Sequence, residues 1–250
     1  MSTTTTSADR TIVLPGDKID ASLIPTHPKH HLRLGPGVRH VPPSEIIPTV
    51  AGQLIPDHRK TSLWVESSSG RYIPFVSDLV IGQVQRSTGD FYYVSLNPYT
   101  PNASLPHLAF EGATKKTRPQ LAPGALVYAR VTLANKHMDP ELECVSSSTG
   151  KAEGLGPLVG GMIFDVSLGM ARRLLMAQNR RDGGIAVLDL LGDEGLGFEI
   201  AVGRNGKVWI GGDNTKTIIA TGRAIRETDE KDLNAEQQKA LVKRLIREMR

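Results

Sequence analysis

The stretch from Phe198 to Ile210 constrains the fold more tightly than any other. Phe198-Glu199-Ile200-Ala201-Val202 and Lys207-Val208-Trp209-Ile210 both alternate in the period-two manner of strands. Between them lies Gly203-Arg204-Asn205-Gly206. Asn-Gly between alternating runs is the strongest short-range hairpin signal, because a two-residue turn of that kind needs φ > 0 at both central residues. A β-hairpin turning on Asn205-Gly206 is therefore expected, and any fold for this region must hold a sheet.

Three regions separate by composition. The first, about 10–68, is rich in Pro and Gly. Thr11 to Leu14 and Ser62 to Val65 read as short strands, and the chain between them as turns and extended segments, a small β domain. Ser67-Ser68-Ser69-Gly70 is the natural junction. The second region, 71–146, is a run of β-like segments: Asp78–Val84, Phe91–Leu96, Gly124–Val131 and Glu141–Val145, with a turn at Thr88-Gly89-Asp90. About five short strands over this length suggest a small closed barrel of the OB type. The third, 149–250, mixes helix and strand in an α+β pattern. Met162–Val166 and Ala186–Leu191 read as strands. Ser167 caps a helix from Leu168 to about Gln178, and Thr215 to about Thr228 is helical. Asn234 and Gln237 open a last helix with Leu241, Leu245, Ile246 and Met249 on its apolar face.

Bulk properties exclude several classes. No run approaches the roughly 18 apolar residues of a membrane span. Residues 1–9 are Ser/Thr-rich without a hydrophobic core, a disordered tail rather than a secretory signal. Cys144 is the single cysteine, so neither an internal disulfide nor a cysteine-based zinc cluster can form, which fits cytosol or nucleus. A formal charge of +4 permits nucleic-acid binding without demanding it.

Three places could carry nucleic-acid chemistry. Gly203-Arg204-Asn205-Gly206 has the form of the Gly-x-x-Gly loop with which KH domains clamp four nucleotides. That clamp joins two helices and uses helix N-termini, and strand flanks do not supply them, so the turn reading is preferred. Phe110 to Pro119 places Lys115, Lys116 and Arg118 on a loop between barrel strands, where they would neutralise phosphates or form a solvated loop. If Tyr92, Val94 and Leu96 face the barrel core, then Phe91, Tyr93 and Ser95 face outward. Tyr93 is then a platform for a stacked base or a protein contact.

Other clusters read as structure. Thr26-His27-Pro28-Lys29-His30-His31 lacks Cys or acidic partners at ligand spacing and reads as a basic loop. Asp189, Asp193 and Glu194, a conceivable nuclease metal site, lie by a Gly-rich turn. Cys144 alternates with Leu142 as a barrel core residue. No Walker loop, nucleophile elbow or dinucleotide fingerprint occurs, and no cofactor is implied.

Together these residues resemble a known family. From about Val13 onward the chain is similar to the S1/KH cap subunits of the eukaryotic RNA exosome, of the ribosomal RNA-processing protein 40 type. The resemblance is carried by Val13-Leu14-Pro15-Gly16-Asp17, Leu34-Gly35-Pro36-Gly37, Tyr72-Ile73-Pro74, Asp78 to Gly82, Phe110 to Pro119, Ala134-Asn135-Lys136, Gly203 to Gly206 and Val208-Trp209. It implies an N-terminal β domain, an S1-like OB barrel and a KH-like domain. It implies a subunit that does not cut RNA but, with two other cap proteins, sits on a ring of RNase-PH-like subunits and lines the entrance for single-stranded RNA. A nuclear and nucleolar location, also cytoplasmic, follows, with no membrane. In that family the glycine quartet packs between barrel and KH-like domain. The alternatives are the related cap subunit with the same domains, against which Phe110 to Pro119 argues, and a metal-dependent RNase using residues 189–194.

Overall fold

Alternation of short apolar runs builds strands through the first two thirds of the chain. The computed structural model describes residues 11–28, 30–58, 60–67, 71–146, 148–175 and 185–249. The expected tail 1–9, the junction residues 68–70, Lys29 of the His-rich patch and the expected end of the Leu168 helix lie outside the described residues. The chain divides into two compact units, Met1–Ser69 and Gly70–Arg250.

The first unit is a small β domain. Its strands are β1 (Ile12–Val13), β2 (Arg33–Leu34), β3 (Val38–Val41), β4 (Glu45–Pro48), β5 (Gly52–Asp57) and β6 (Ser62–Glu66). The sheet runs β1-β5-β6-β2, and β3 pairs with β4 as a separate hairpin. Val13, Leu54, Leu63 and Val65 form its buried core. The segment expected to be turns and extended chain thus contains four strands. They are short and interrupted by Pro, so no period-two run is long enough to show.

The second unit opens with the barrel. Strands β7 (Leu79–Ser87), β8 (Phe91–Ser95), β9 (Ala103–Pro106), β10 (Leu126–Asn135) and β11 (Met138–Glu143) run in the order β11-β9-β8-β7-β10, and β11 pairs back to β10. That closure removes the free edges. Val80, Val84, Tyr92, Val94, Leu105, Val127, Val131, Leu142 and Cys144 fill it. Cys144 is a core residue, and burial pushes its thiol up to about 12. Strand β9 was not among the segments expected from sequence. A sixth strand, β12 (Gly156–Leu158), adds outside β10.

An α+β module follows: β13 (Met162–Asp165), α1 (Leu168–Leu175), α2 (Val187–Asp193), β14 (Glu199–Gly203), β15 (Lys207–Gly211), α3 (Thr215–Lys231) and α4 (Ala235–Met249). Its antiparallel sheet runs β13-β15-β14. Val208 and Ile210 face the helices, where Met170, Val187, Leu191, Ile225, Leu241 and Leu245 bury. Trp209 and Ala201 point the other way and pack on Ile81 of the barrel. Ser167 caps α1, its hydroxyl accepting from the Met170 N–H at 3.0 Å.

The expected strand Ala186–Leu191 is instead helix α2. A short apolar run does not separate strand from helix by periodicity. Val187 and Leu191, one helical turn apart, are both fully buried in the core shared with α3 and α4, so packing decides the outcome. Asp189 accordingly lies within α2, while Asp193 and Glu194 stand at its C-terminal end, where the Gly195 N–H donates to Gly192 O at 2.9 Å and closes the expected glycine turn.

Ion pairs join helices α3 and α4: Glu248 of α4 meets Arg223 of α3 at 3.0 Å, and Glu227 of α3 gathers the most cations. Glu227 receives Lys231 at 2.9 Å, Arg244 at 2.7 Å and Arg223 at 3.0 Å. These cations hold its carboxyl down at about 2, with Lys231 the largest contributor. The folded value lies below the unfolded one, so the stabilisation is present above pH 4.5 and lost as pH falls toward 2. Glu227→Gln should remove roughly 1–3 kcal/mol at pH 7 and flatten the acid limb of the stability curve. Urea titrations at pH 7 and pH 3 check this: an equal loss at both would exclude the linkage.

Candidate functional site

Two places carry the sequence-derived candidates, and both lie in the second unit. The first is the turn between β14 and β15. Gly203 pairs with Lys207, so the connection is a three-residue loop, Arg204-Asn205-Gly206. Only Gly206 has positive φ, at 78°, whereas Asn205 is not in the left-handed region. The expected two-residue turn with both centres at φ > 0 is thereby corrected to the longer loop with glycine in the left-handed position.

The reason is the Asn205 side chain, which is 2% exposed. Its Oδ1 accepts from the Ile81 N–H at 3.2 Å, and its Nδ2 donates to Ile81 O at 2.8 Å and Leu96 O at 2.7 Å. Exchanging both bonds with one residue is what a neighbouring antiparallel strand does. The amide therefore stands in for a strand residue beside β7. Beside it the Arg204 N–H donates to Leu79 O at 2.7 Å. The Arg204 guanidinium meets Asp78 Oδ1 at 3.1 Å, and the buried Tyr72 hydroxyl donates to Asp78 Oδ2 at 2.9 Å. A Cβ on Gly203 would come within 2.7 Å of the Ile81 nitrogen. Every member of the quartet is spent on protein.

The second place is the loop from Phe110 to Leu121. Phe110 is buried in the barrel. Glu111 turns away from the loop cations and accepts from the Ala152 N–H at 2.7 Å. Thr114 and Thr117 knit the tip. Their hydroxyls lie 2.8 Å apart, Thr117 Oγ1 accepts from the Thr114 N–H at 3.0 Å, and the Arg118 N–H donates to Thr114 O at 3.0 Å. Lys115 and Lys116 project from this tight turn, exposed. Among the described residues neither ammonium has a carboxylate partner.

Arg118 is placed differently. Its Nη1 donates to His107 Nδ1 and reaches Gly89 O at 3.4 Å. Tyr92, whose ring meets that of His107 at a tilt of 49° with centroids 4.1 Å apart, donates its hydroxyl to Pro119 O at 2.6 Å and accepts from the Leu121 N–H at 3.3 Å. The C-terminal stem of the loop is thus tied to the barrel at two points.

Tyr93 stands half-buried on the outer face of β8. A register shift between Val84 and Arg86 sets Arg86 opposite Tyr93, and the guanidinium carbon sits 4.3 Å from the ring centroid. Such a cation–π pair contributes roughly 0.5–1 kcal/mol. Without the bulge, Arg86 would face its neighbour one position out of register. Neither Arg86 nor His107 was singled out from the sequence, and a bulge leaves no local signal. The contacts bring Tyr93 to Arg86 and Arg118 to His107, and they do not join the two pairs. Among the described residues no group of three His, Cys, Asp or Glu side chains could hold a metal ion.

Comparison with known proteins decides the family. Residues 32–71 match the family described as the Exosome complex exonuclease Rrp40 N-terminal domain. Residues 72–156 match the S1 domain of Exosome complex component RRP40, and residues 161–216 match a KH domain. The Saccharomyces cerevisiae protein named Exosome complex component RRP40 is 38% identical over 227 residues, covering 89% of this chain and 90% of its own. The chain belongs to the RRP40 family of exosome components. The RRP40 relatives of Schizosaccharomyces pombe and Drosophila melanogaster are each 40% identical, over 86% and 88% of this chain and 87% and 89% of theirs. A crystal structure provisionally described as an exosome complex RNA-binding protein superimposes with a TM-score of 0.56 at 24% identity, over 71% of this chain and 96% of that one. That likeness concerns the fold. Within the RRP40 family the barrel is the S1 domain and the α+β module the KH domain.

Proposed function

We propose that this chain is a non-catalytic RNA-binding cap subunit of the exosome, which helps to stabilise the ring and guides single-stranded RNA towards the degrading subunits. The observation that carries this reading is the RRP40 kinship, which runs through all three modules. RNase-PH-like ring subunits and the other cap subunits would be its partners, in nucleus, nucleolus and cytoplasm. The quartet Gly203–Gly206 would serve as the interdomain packing point and not as a nucleotide clamp, since its polar groups are bonded within the protein.

The RNA surface we assign to the S1 domain. Lys115 and Lys116 are exposed cations on a turn already ordered by its own hydroxyls. Arg118 shares that turn, and Tyr93 with its stacked Arg86 offers an aromatic face. Contacts of this type reach phosphates and base faces, so they tolerate sequence. Replacing Lys115 and Lys116 with Ala should weaken single-stranded RNA binding and lower the steepness of log K against log [salt] by about 1.4. Fluorescence anisotropy across a salt series measures it, and an unchanged slope would sink the assignment.

A further inference from the structure

We infer that His107 is a positioning residue for the RNA-binding turn, acting through Arg118. The inference rests on the role proposed above for Lys115 and Lys116. His107 follows β9 and is 4% exposed. Its backbone N–H donates to Asp90 O at 2.9 Å, which fastens it to the β7–β8 turn. Its ring packs at a tilt against that of Tyr92. Nε2 stands 3.2 Å from the Ser87 hydroxyl, and Nδ1 meets the Arg118 guanidinium.

Chemistry fixes the proton. A guanidinium only donates, so Nδ1 must accept and the ring must be neutral with its proton on Nε2. Nε2–H then donates to Ser87 Oγ, and the Ser87 hydroxyl donates to Thr88 O at 3.3 Å. The chain Arg118–His107–Ser87–Thr88 gives both ring nitrogens of the buried His107 a partner and ends at the exposed Ser87 and Thr88. Burial and the Arg118 charge both hold the imidazole below its usual range, against the weaker pull of Asp90.

The result is a latch. Arg118 N–H closes the turn that carries Lys115 and Lys116, and Arg118 Nη1 ties that turn to a buried acceptor. Tyr92 holds Pro119 and Leu121 of the stem. The turn is therefore ordered before RNA arrives, which spares the ordering cost at binding. His107 contributes no charge to the surface. Its loss should alter affinity without altering the number of phosphates neutralised.

The test separates the latch from the charge. His107→Leu removes the acceptor, and His107→Asn keeps an oxygen near the place of Nδ1. We expect His107→Leu to weaken RNA binding about 3- to 10-fold, from the cost of ordering a released turn, with the salt slope unchanged. Amide exchange at Ala113, Thr117 and Arg118 should quicken, and His107→Asn should restore both affinity and protection. Ring ¹⁵N shifts of the wild-type chain at neutral pH should show Nε2 protonated and Nδ1 bare. Wild-type affinity and exchange in a folded His107→Leu chain, failure of His107→Asn to rescue, or a protonated Nδ1 would each overturn the inference. Should His107→Leu not fold, the rescue variant and the ring shifts decide. If Lys115 and Lys116 can be lost without effect on RNA, the RNA reading fails, while the exchange rates still judge the latch.

Discussion

Asn205→Ala should melt roughly 6–12 °C below the wild-type chain, corresponding to a loss of about 3 kcal/mol in a unit of this size. The substitution removes no apolar packing of consequence. It strips three hydrogen bonds and leaves the Ile81 N–H, the Ile81 carbonyl and the Leu96 carbonyl without their side-chain partner. Each such buried group costs about 1–3 kcal/mol when orphaned. The damage falls on a seam between two modules, so its signature is distinctive. Both modules keep their own cores, and the S1 strands β7 and β8 lose protection together with the KH hairpin. Hydrogen exchange at Ile81 and Gln83 should rise in step with exchange at Val202 and Val208. An Asn205→Ala chain with wild-type stability would show that the apolar contact of Ile81, Ala201 and Trp209 holds the seam unaided.

Gly206→Val is the second large effect, and it strikes elsewhere. Gly206 holds φ at 78°, and a Cβ there would lie 2.7 Å from the Val166 carbonyl and 3.2 Å from Leu168. A β-branched residue meets both the backbone penalty and the collision, together about 3 kcal/mol or more. The strain spreads into the corner between β13 and α1, because the Val166 N–H donates to Gly206 O at 2.8 Å. The KH domain should therefore loosen, while the S1 domain keeps its exchange protection. Calorimetry with domain-resolved exchange tests the order of events. A well-folded Gly206→Val chain that had lost only RNA binding would return the glycine quartet to the role of nucleotide clamp.

Much of this architecture was legible where one face of an element is buried and the other is not. Alternation in β8 announced which residues point inward, and Tyr92, Val94 and Leu96 are buried as that pattern requires. The cap at Ser167 was legible because capping is local. What escaped was decided at long range. The conformation of Asn205 answers to Ile81, 124 residues earlier. Helix α2 is helical because the core it shares with α3 and α4 receives Val187 and Leu191, and a run of six apolar and acidic residues contains no trace of those helices. Arg86 meets Tyr93 only through a bulge, and His107 meets Arg118 only because the connection from β9 to β10 folds back on itself. In the site itself the cations could be found from their clustering, whereas the residues that orient them could not.

One feature of the second unit bears on mechanics. The connection from S1 to KH domain includes β12, whose Gly156, Pro157 and Leu158 are hydrogen-bonded along β10. A free linker would let the KH hairpin wander and return. Here the tether is stitched down, so the hairpin is presented to the barrel edge with almost no slack and at a correspondingly high effective concentration. The two modules should therefore transmit torque as one rigid lever. A force applied to the KH helices by a neighbour would be felt at the mouth of the barrel, and not absorbed along the way.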